Sequence, residues 1–253
     1  MSKVTVTMHD ETAVLRLDNG ITNAISSELV TDLASALTGV RGSAKGLVLA
    51  GNEKFFSIGF NLPELVELDQ AGMSDFFTRF DQLCLDLYTL PIPTACAMTG
   101  HAVAGGNVLA LTCDFRFAAE GKKLIGLNEA TIGLPVPYLP DLILRQVVGD
   151  RAATGMMYHG RFLPGSEAAA IGLVDAVLPL SKVEDQAVTR INTLAALPRS
   201  AFAIIKENRT EAVRRSYELY NRAKLAKMLE CWFEDSVQEL LKDAAQKFQP
   251  QGS

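Results

Sequence analysis

Glu129 is the residue in this sequence best suited to acid–base chemistry. It is the only charged side chain between Ile125 and Pro135, in the stretch Ile-Gly-Leu-Asn-Glu-Ala-Thr-Ile-Gly-Leu-Pro. Apolar surroundings raise the pKa of a carboxyl group, which prepares it to accept and return a proton near neutral pH. We therefore interpret Glu129 as a candidate general base. The alternative is a solvated loop carboxylate.

Two glycine-containing turns could supply hydrogen-bond donors to the same reaction. One turn is Phe56–Asn61, Phe-Ser-Ile-Gly-Phe-Asn, and the other is Thr99–Gly106, Thr-Gly-His-Ala-Val-Ala-Gly-Gly. Glycine lets the backbone turn sharply and approach a ligand closely. A turn that opens a helix also leaves N–H groups free to stabilise a developing oxyanion. Taken alone, each turn is more typical of a plain strand-to-helix connection.

Several other chemistries lack their motifs in this chain. The glycine patterns of dinucleotide-binding and phosphate-binding loops and of serine hydrolases are absent. The histidines His9, His101 and His159 do not form a metal-ligand spacing. We predict no metal site and keep His101 as a secondary candidate for acid–base chemistry, because histidine titrates near neutral pH.

The predicted elements place strands early in the chain and helices late. Alternating apolar residues predict a β-hairpin over residues 4–17. Ser26 is a candidate N-cap for a helix that ends at Gly39. Buried strands are predicted at 46–50 and at 94–99, and the second of these leads into the turn that contains His101. Strand, turn and helix therefore follow one another at the second glycine turn.

Helical patterns dominate the rest of the sequence. A stripe of apolar residues over 73–87 predicts a helix that faces the core. Ser181 and Glu184 have the spacing of a capping box, which predicts a helix that continues to Leu197. Almost everything after Ala201 has helical spacing, and the last apolar position of that pattern is Phe248.

Composition indicates a globular protein with a small partner. The 253 residues are 48% hydrophobic and 21% charged, and the net charge of −5 gives no sign of a nucleic-acid or anionic membrane surface. The four cysteines are widely spaced and are expected to be reduced core residues. The sequence contains no secretion signal or membrane span, so we expect a cytoplasmic protein.

Both turns resemble the signatures of a known family. The segment Phe56–Glu64 is similar to the motif F-x-A-G-x-D-x-x-E, and Thr99–Arg116 is similar to N-G-x-A-x-G-G-G-x-E-L-A-x-x-C-D-x-R. The chain therefore resembles the crotonase superfamily, the enoyl-CoA hydratases and isomerases. The similarity continues through Ile171–Val177 into the C-terminal helices.

The resemblance implies an α/β fold, a spiral of ββα units over residues 1–197, followed by a C-terminal helical trimerisation region over residues 198–253. The assembly would be a homotrimer or a dimer of trimers. The partner would be an acyl-CoA thioester, with no cofactor because coenzyme A is part of the substrate. The backbone N–H groups of Phe60 and Gly105 would form the oxyanion hole. Substrate-binding residues would be Ser57, Ile58, Gly59, Val108, Leu134 and Tyr138.

Departures from the family pattern point to one reaction within the family. Hydratases carry two glutamates, and Val108 replaces the first, whereas Glu129 matches the second. The residues around Glu129 are similar to those of Δ3,Δ2-enoyl-CoA isomerases, and the apolar segment Leu134–Tyr138 replaces a glycine-rich stretch of the hydratases. A single base is enough to move a double bond. The resemblance therefore implies a Δ3,Δ2-enoyl-CoA isomerase.

Other readings of the sequence stay open. The protein could catalyse hydration, hydrolysis or decarboxylation of a thioester, or bind acyl-CoA without turnover. Its C-terminal helices could instead recognise a protein, with Trp232 and Phe233 as an exposed anchor. Asn61, where the family has aspartate, puts the predicted grip on the adenine end of coenzyme A in doubt.

Overall fold

Ten strands form two sheets in the computed structural model, which describes residues 2–246. The larger sheet has the strand order β1-β2-β3-β5-β7-β10, and the smaller has the order β4-β6-β8-β9. The strands are β1 (Val4–His9), β2 (Thr12–Leu17), β3 (Gly46–Ala50), β4 (Phe55–Ser57), β5 (Thr94–Met98), β6 (His101–Val103), β7 (Phe115–Ala119), β8 (Leu124–Gly126), β9 (Phe162–Pro164) and β10 (Ala176–Leu178).

Nine α-helices connect and cover these strands in the described part of the chain. Two short 3₁₀ helices, Glu129–Ile132 and Leu180–Lys182, complete the set. The α-helices are α1 (Ser27–Val40), α2 (Leu62–Leu65), α3 (Gln70–Tyr88), α4 (Gly105–Leu111), α5 (Tyr138–His159), α6 (Gly165–Ala170), α7 (Val183–Ala195), α8 (Arg199–Trp232) and α9 (Asp235–Gln246).

The order of the elements makes the fold a spiral. From β3 to β8 the chain alternates between the larger and the smaller sheet, and a helix follows each pair of strands. Neighbouring strands are parallel except for the pairs β1–β2 and β8–β9. The predicted α/β class and spiral of ββα units are therefore confirmed. Because parallel strands share one direction, their following turns collect along one edge.

Local sequence signals account for several of these elements. The predicted hairpin is present as the antiparallel pair β1–β2. The side chain of Ser26 accepts a hydrogen bond from the backbone N–H of Leu29 at 3.1 Å and so caps α1, as predicted. Cys84, Cys96 and Cys113 are buried free thiols, and Cys231 is half-buried.

The predicted capping box at Ser181 and Glu184 is wrong. Helix α7 starts at Val183 without a side-chain cap. The Glu184 carboxylate instead accepts two hydrogen bonds from the Arg16 guanidinium, at 2.6 and 2.7 Å, which ties α7 to strand β2. Charge-assisted hydrogen bonds to a guanidinium are stronger than a local bond to one backbone N–H group, and they decided the orientation of Glu184.

The alternative in which Trp232 is an exposed anchor for a protein partner is contradicted by the structure. The Trp232 side chain is fully buried at the end of α8 and packs edge-to-face on Phe77 of α3, with ring centroids 6.1 Å apart. Phe233 is half-buried. Packing onto the core explains why these apolar residues do not form a free anchor. Phe248 lies outside the described residues.

The described residues also bear on membranes and metals. Among residues 2–246, no helix combines the length and apolar content that a bilayer crossing requires. Over the same residues, histidine, cysteine and carboxylate side chains do not gather into a group that could hold a metal ion.

Candidate active site

A mostly apolar cavity of about 570 Å³ lies where the two predicted glycine turns meet the C-terminal helices. Such a concave site of several hundred cubic ångströms suits a small apolar ligand. Its walls come from the smaller sheet, the segment after β8 and helices α2, α3, α8 and α9. The lining residues include Ile58, Phe60, Phe77, His101, Glu129, Leu134, Met228 and Ala244.

Glu129 is the buried carboxylate of this cavity. It begins the 3₁₀ helix that follows β8, and only 6% of its surface is exposed. Burial raises its pKa to about 7, and hydrogen bonds from backbone N–H groups offset part of that rise. Its Oε2 atom has no hydrogen-bond partner among the described residues. The carboxyl group is thus poised to exchange a proton with a ligand near neutral pH.

The first glycine turn is held in place by Ser57. The Ser57 hydroxyl donates to the carbonyl of Asn23 at 2.7 Å and accepts from the N–H of Gly59 at 3.1 Å. Gly59 has a φ of 99°, which favours glycine. The chain then bridges to Ile25 through the carbonyl of Gly59 and the N–H of Asn61. Among the described residues, the N–H of Phe60 donates no backbone hydrogen bond.

The second turn packs directly against the first. Ala104 has a φ of 49° and a ψ of −127°, a strained conformation for a residue with a side chain. Its N–H donates to the carbonyl of Gly126 at 2.8 Å. A Cβ atom at Gly106 would lie 2.3 Å from the carbonyl oxygen of Ser57, so this position requires glycine. The strain and the close approach fix the second turn beside the first.

The two amides predicted as an oxyanion hole lie on these touching turns. A Cβ atom at Gly59 would lie 3.1 Å from the nitrogen of Gly105, and one at Gly105 would lie 3.2 Å from the ring of Phe60. Like the N–H of Phe60, that of Gly105 donates no backbone hydrogen bond within residues 2–246. Two unpaired amides on turns that border the cavity of a buried carboxyl can stabilise charge on an oxygen while a neighbouring carbon loses a proton.

The structure brings most of the predicted site residues together. Ile58, Phe60, Leu134 and Glu129 all line the cavity. Ser57, Gly59 and Gly105 lie in the turns that shape it.

Val108 and Tyr138 do not line the cavity. Val108 belongs to α4, is 2% exposed and packs in the hydrophobic core. Tyr138 lines a separate, adjoining pocket. The structure places Tyr138 outside the main cavity: the ring stands at the start of α5, where the amino group of Lys224 lies 5.3 Å from its centroid.

Sequence reasoning missed several lining residues. Phe77 belongs to the apolar stripe that predicted a core helix, and its position gave no sign of a cavity. Met228 and Ala244 come from α8 and α9, about one hundred residues after Glu129. Their helical spacing predicts burial but does not identify what they are buried against.

His101 lies on strand β6 at the cavity wall. Its Nδ1 atom accepts a hydrogen bond from the N–H of Leu124 at 3.1 Å. Burial and the nearby amino groups of Lys123 and Lys54 lower its pKa. The ring is therefore neutral at pH 7 with its proton on Nε2, which makes it a hydrogen-bond donor rather than a cation.

Asn61 joins the first turn to helix α1. Its amide donates to the carboxylate of Glu64 at 3.0 Å, and the other oxygen of Glu64 accepts from the N–H of Ser27 at 2.9 Å. Asn61 therefore takes part in a local bracing network, although the family motif has aspartate there.

Comparison with known proteins agrees with this geometry. The family model described as enoyl-CoA hydratase/isomerase matches residues 7–251. Human mitochondrial enoyl-CoA delta isomerase 1 is 29% identical over 233 residues, which cover 90% of this chain and 77% of that protein. A putative enoyl-CoA hydratase from Thermus thermophilus is 33% identical over 190 residues, 73% of this chain and 74% of that protein.

The solved structures include a near match over the whole chain. The crystal structure of human mitochondrial Δ3,Δ2-enoyl-CoA isomerase superimposes with a TM-score of 0.94 at 28% identity, and 98% of each chain is covered. The family model matches almost the whole chain, and the fold is shared with a solved member of the family. Together these two findings identify the family. The chain belongs to the enoyl-CoA hydratase/isomerase family and has the crotonase fold.

Proposed function

We propose that this protein is a Δ3,Δ2-enoyl-CoA isomerase, which shifts the double bond of a 3-enoyl-CoA thioester to the 2-position. The single observation that carries the proposal is that Glu129 supplies the buried carboxyl of the main cavity, with Val108 where a second glutamate would stand in a hydratase. The similarity to human enoyl-CoA delta isomerase 1 supports the same assignment.

The mechanism needs one base and one oxyanion hole. The thioester oxygen accepts hydrogen bonds from the N–H groups of Phe60 and Gly105. Glu129 removes a proton from C2, the resulting dienolate carries its negative charge on that oxygen, and Glu129 returns the proton to C4. Coenzyme A is part of the substrate, and the reaction needs no cofactor.

The magnitudes explain why both parts are needed. General-base catalysis contributes roughly 10²–10⁴-fold, and one oxyanion donor contributes about 3–4 kcal/mol. A C–H group next to a thioester is a weak acid, so Glu129 depends on the two amides to stabilise the charge as it forms. The turns and the carboxyl therefore act together.

The direct test is an isomerase assay with 3-hexenoyl-CoA. The wild-type protein should convert it to the conjugated 2-isomer, seen as a rise in ultraviolet absorbance. Glu129→Gln keeps the shape of the side chain but removes the base, and it should lower kcat by at least about 10²-fold. The exposed Glu120 offers a matched control, since Glu120→Gln should leave the rate unchanged. Absence of turnover by the wild-type protein at high concentration would refute the proposal.

Hydration is the second candidate, favoured by the similarity to the putative hydratase of Thermus thermophilus. Adding water requires a second group to handle a proton, and the buried Val108 cannot supply it. We expect crotonyl-CoA to give no 3-hydroxy product. Rapid formation of that product would favour the hydratase over the isomerase.

We also propose that the chain assembles as a homotrimer or as a dimer of trimers. The long helix α8 exposes the apolar side chains of Ile204, Ile205, Leu219 and Tyr220, each more than half accessible. Apolar residues on one helix are suited to a subunit interface. Sedimentation equilibrium should give three or six times the mass of the chain, and a monomer would refute this assembly.

A further inference from the structure

A second pocket lies beside the main cavity and shares part of its wall. It has a volume of about 250 Å³ and lies between α3, the start of α5 and α8. Pro135, Pro137 and Met228 line both the pocket and the cavity. Of these three, Met228 has a flexible unbranched side chain that can change rotamer. The two spaces are thus separated by a thin and partly flexible wall.

Asp81 lines this second pocket and is its most deeply buried charged residue. Asp81 lies in the middle of α3, and only 2% of its surface is exposed. Its Oδ2 atom accepts a long hydrogen bond of 3.3 Å from the amide of Asn221. Its Oδ1 atom has no hydrogen-bond partner among the described residues. An unsatisfied buried oxygen is costly, and a ligand that donates a hydrogen bond there would remove the cost.

The surroundings of Asp81 favour a neutral ligand group over a charged one. At the rim, the amino group of Lys224 lies over the ring of Tyr138, Asp141 accepts from Arg145 at 3.0 Å, and Lys227 is exposed to solvent. Burial raises the pKa of Asp81 to about 7. A hydroxyl group can donate to a carboxylate and accept from a carboxylic acid, so it suits Asp81 in both states.

We propose that this Asp81 pocket binds the far end of the acyl chain and selects thioesters that carry a hydroxyl group at or near that end. This inference rests on the proposed function, because it concerns the substrate of the same site. The apolar part of the chain occupies the main cavity, and the end passes Met228. The hydroxyl group then donates to the free Oδ1 atom of Asp81.

The test compares acyl-CoA thioesters of increasing length, each with and without a terminal hydroxyl group. Calorimetry with the saturated thioesters measures affinity without turnover. Beyond the length at which the tail passes Met228, the hydroxylated thioester should bind at least about tenfold more tightly than its methyl-ended partner. Asp81→Leu should bring that ratio close to one. For the corresponding 3-enoyl thioesters, the ratio of kcat/KM for the hydroxylated over the methyl-ended substrate should likewise fall close to one in Asp81→Leu.

Two further variants keep the test decisive. Asn221→Leu removes the hydrogen bond that orients the Asp81 carboxyl and should therefore reduce the preference for the hydroxylated thioester while Asp81 itself is kept. This variant covers the case in which Asp81→Leu fails to fold. Asp86 lies on the same helix but is half-buried and outside the pocket, and Asp86→Asn should keep the wild-type ratio.

Specific outcomes would overturn the inference. Equal affinity for both thioesters at every length would do so, as would a hydroxyl preference that persists in both pocket variants. Because affinity is measured with saturated thioesters, the result stands apart from the proposed function. Failure of that function appears instead as a lack of turnover of every 3-enoyl thioester.

Discussion

At the residue scale, the proposed mechanism depends on the protonation state of Glu129. Burial raises its pKa to about 7, so the carboxyl group is largely protonated below that pH and ionised above it. Only the ionised form can remove a proton from carbon. The same desolvation makes the carboxylate a stronger base than a solvated glutamate at the moment of reaction.

We expect kcat/KM for 3-enoyl-CoA to depend on pH through Glu129. Below pH 7 the value should rise about tenfold per pH unit, and it should level off above pH 7, because the free enzyme must hold the ionised base. The measurement is a pH profile with a check that the protein stays folded across the range. An inflection near the ordinary glutamate value, or a flat profile between pH 5.5 and 8, would contradict this prediction.

Gly106 provides a test of the proposed oxyanion hole. A Cβ atom there would lie 2.3 Å from the carbonyl oxygen of Ser57, so Gly106→Ala must push the two turns apart. The amide of Gly105 would then miss the thioester oxygen, and kcat should fall by about 10²-fold. Gly155 is the matched control, because it is helical with open space around its Cβ position, and Gly155→Ala should be fully active. Unchanged kcat in folded Gly106→Ala would argue against a role for the turn.

At the scale of elements, the arrangement depends on contacts that tie helices to the sheet. Lys206 is one such tie: it lies in α8, is 2% exposed, and donates to the carboxylate of Asp114 at 2.8 Å and to the carbonyl of Ile92 at 3.1 Å. These bonds fasten α8 to the residues that precede strands β5 and β7. The ion pair therefore holds the C-terminal helix against the spiral.

Removing the charge of Lys206 should destabilise the fold. Lys206→Met leaves the carboxylate of Asp114 without its closest cation, and breaking a buried pair costs about 3–5 kcal/mol. Urea unfolding followed by circular dichroism measures the change. Lys242→Met, at an exposed position of α9, is the control and should lose little. A loss as small as that of the control would show that the buried pair does not contribute.

On the scale of the whole molecule, the cavity is complete only when the C-terminal helices fold back over the spiral. Met228 of α8 and Ala244 of α9 line the same cavity as Glu129. Gly133, at the end of the 3₁₀ helix that carries Glu129, lies against α9, since its Cβ atom would meet Val237 at 3.1 Å. The last helices therefore set the size of the cavity as well as the stability of the fold.

Filling the cavity from α9 should shorten the preferred substrate. Ala244→Phe adds a ring to the cavity wall, so the ratio of kcat/KM for long over short 3-enoyl-CoA thioesters should fall by roughly tenfold. Ala223, which is exposed on α8, offers the control variant Ala223→Phe, whose ratio should match the wild type. Measuring kcat/KM for 3-enoyl-CoA thioesters of increasing chain length gives this ratio for both variants. An unchanged ratio in Ala244→Phe would mean that the acyl chain does not reach α9.

Several features of the protein could be read from the sequence because they depend on neighbouring residues. The hairpin of β1 and β2, the Ser26 cap and the buried strand β3 follow from alternation, capping and apolar runs within about ten residues. The isolation of Glu129 among apolar residues is likewise visible in the sequence. Val108 in place of a glutamate is visible only against the family motif that the two turns resemble.

Other features were decided by contacts between distant segments. Glu184 pairs with Arg16, 168 positions away, instead of capping its own helix. Trp232 is buried against Phe77, and Asp81 meets Asn221 across 140 positions. Periodicity predicts that a side chain is buried but not which one it meets, because partners are set by how helices pack after the chain has folded. The sequence thus determined the family and the candidate base, whereas the tertiary structure decided the shape of the cavity and created the Asp81 pocket.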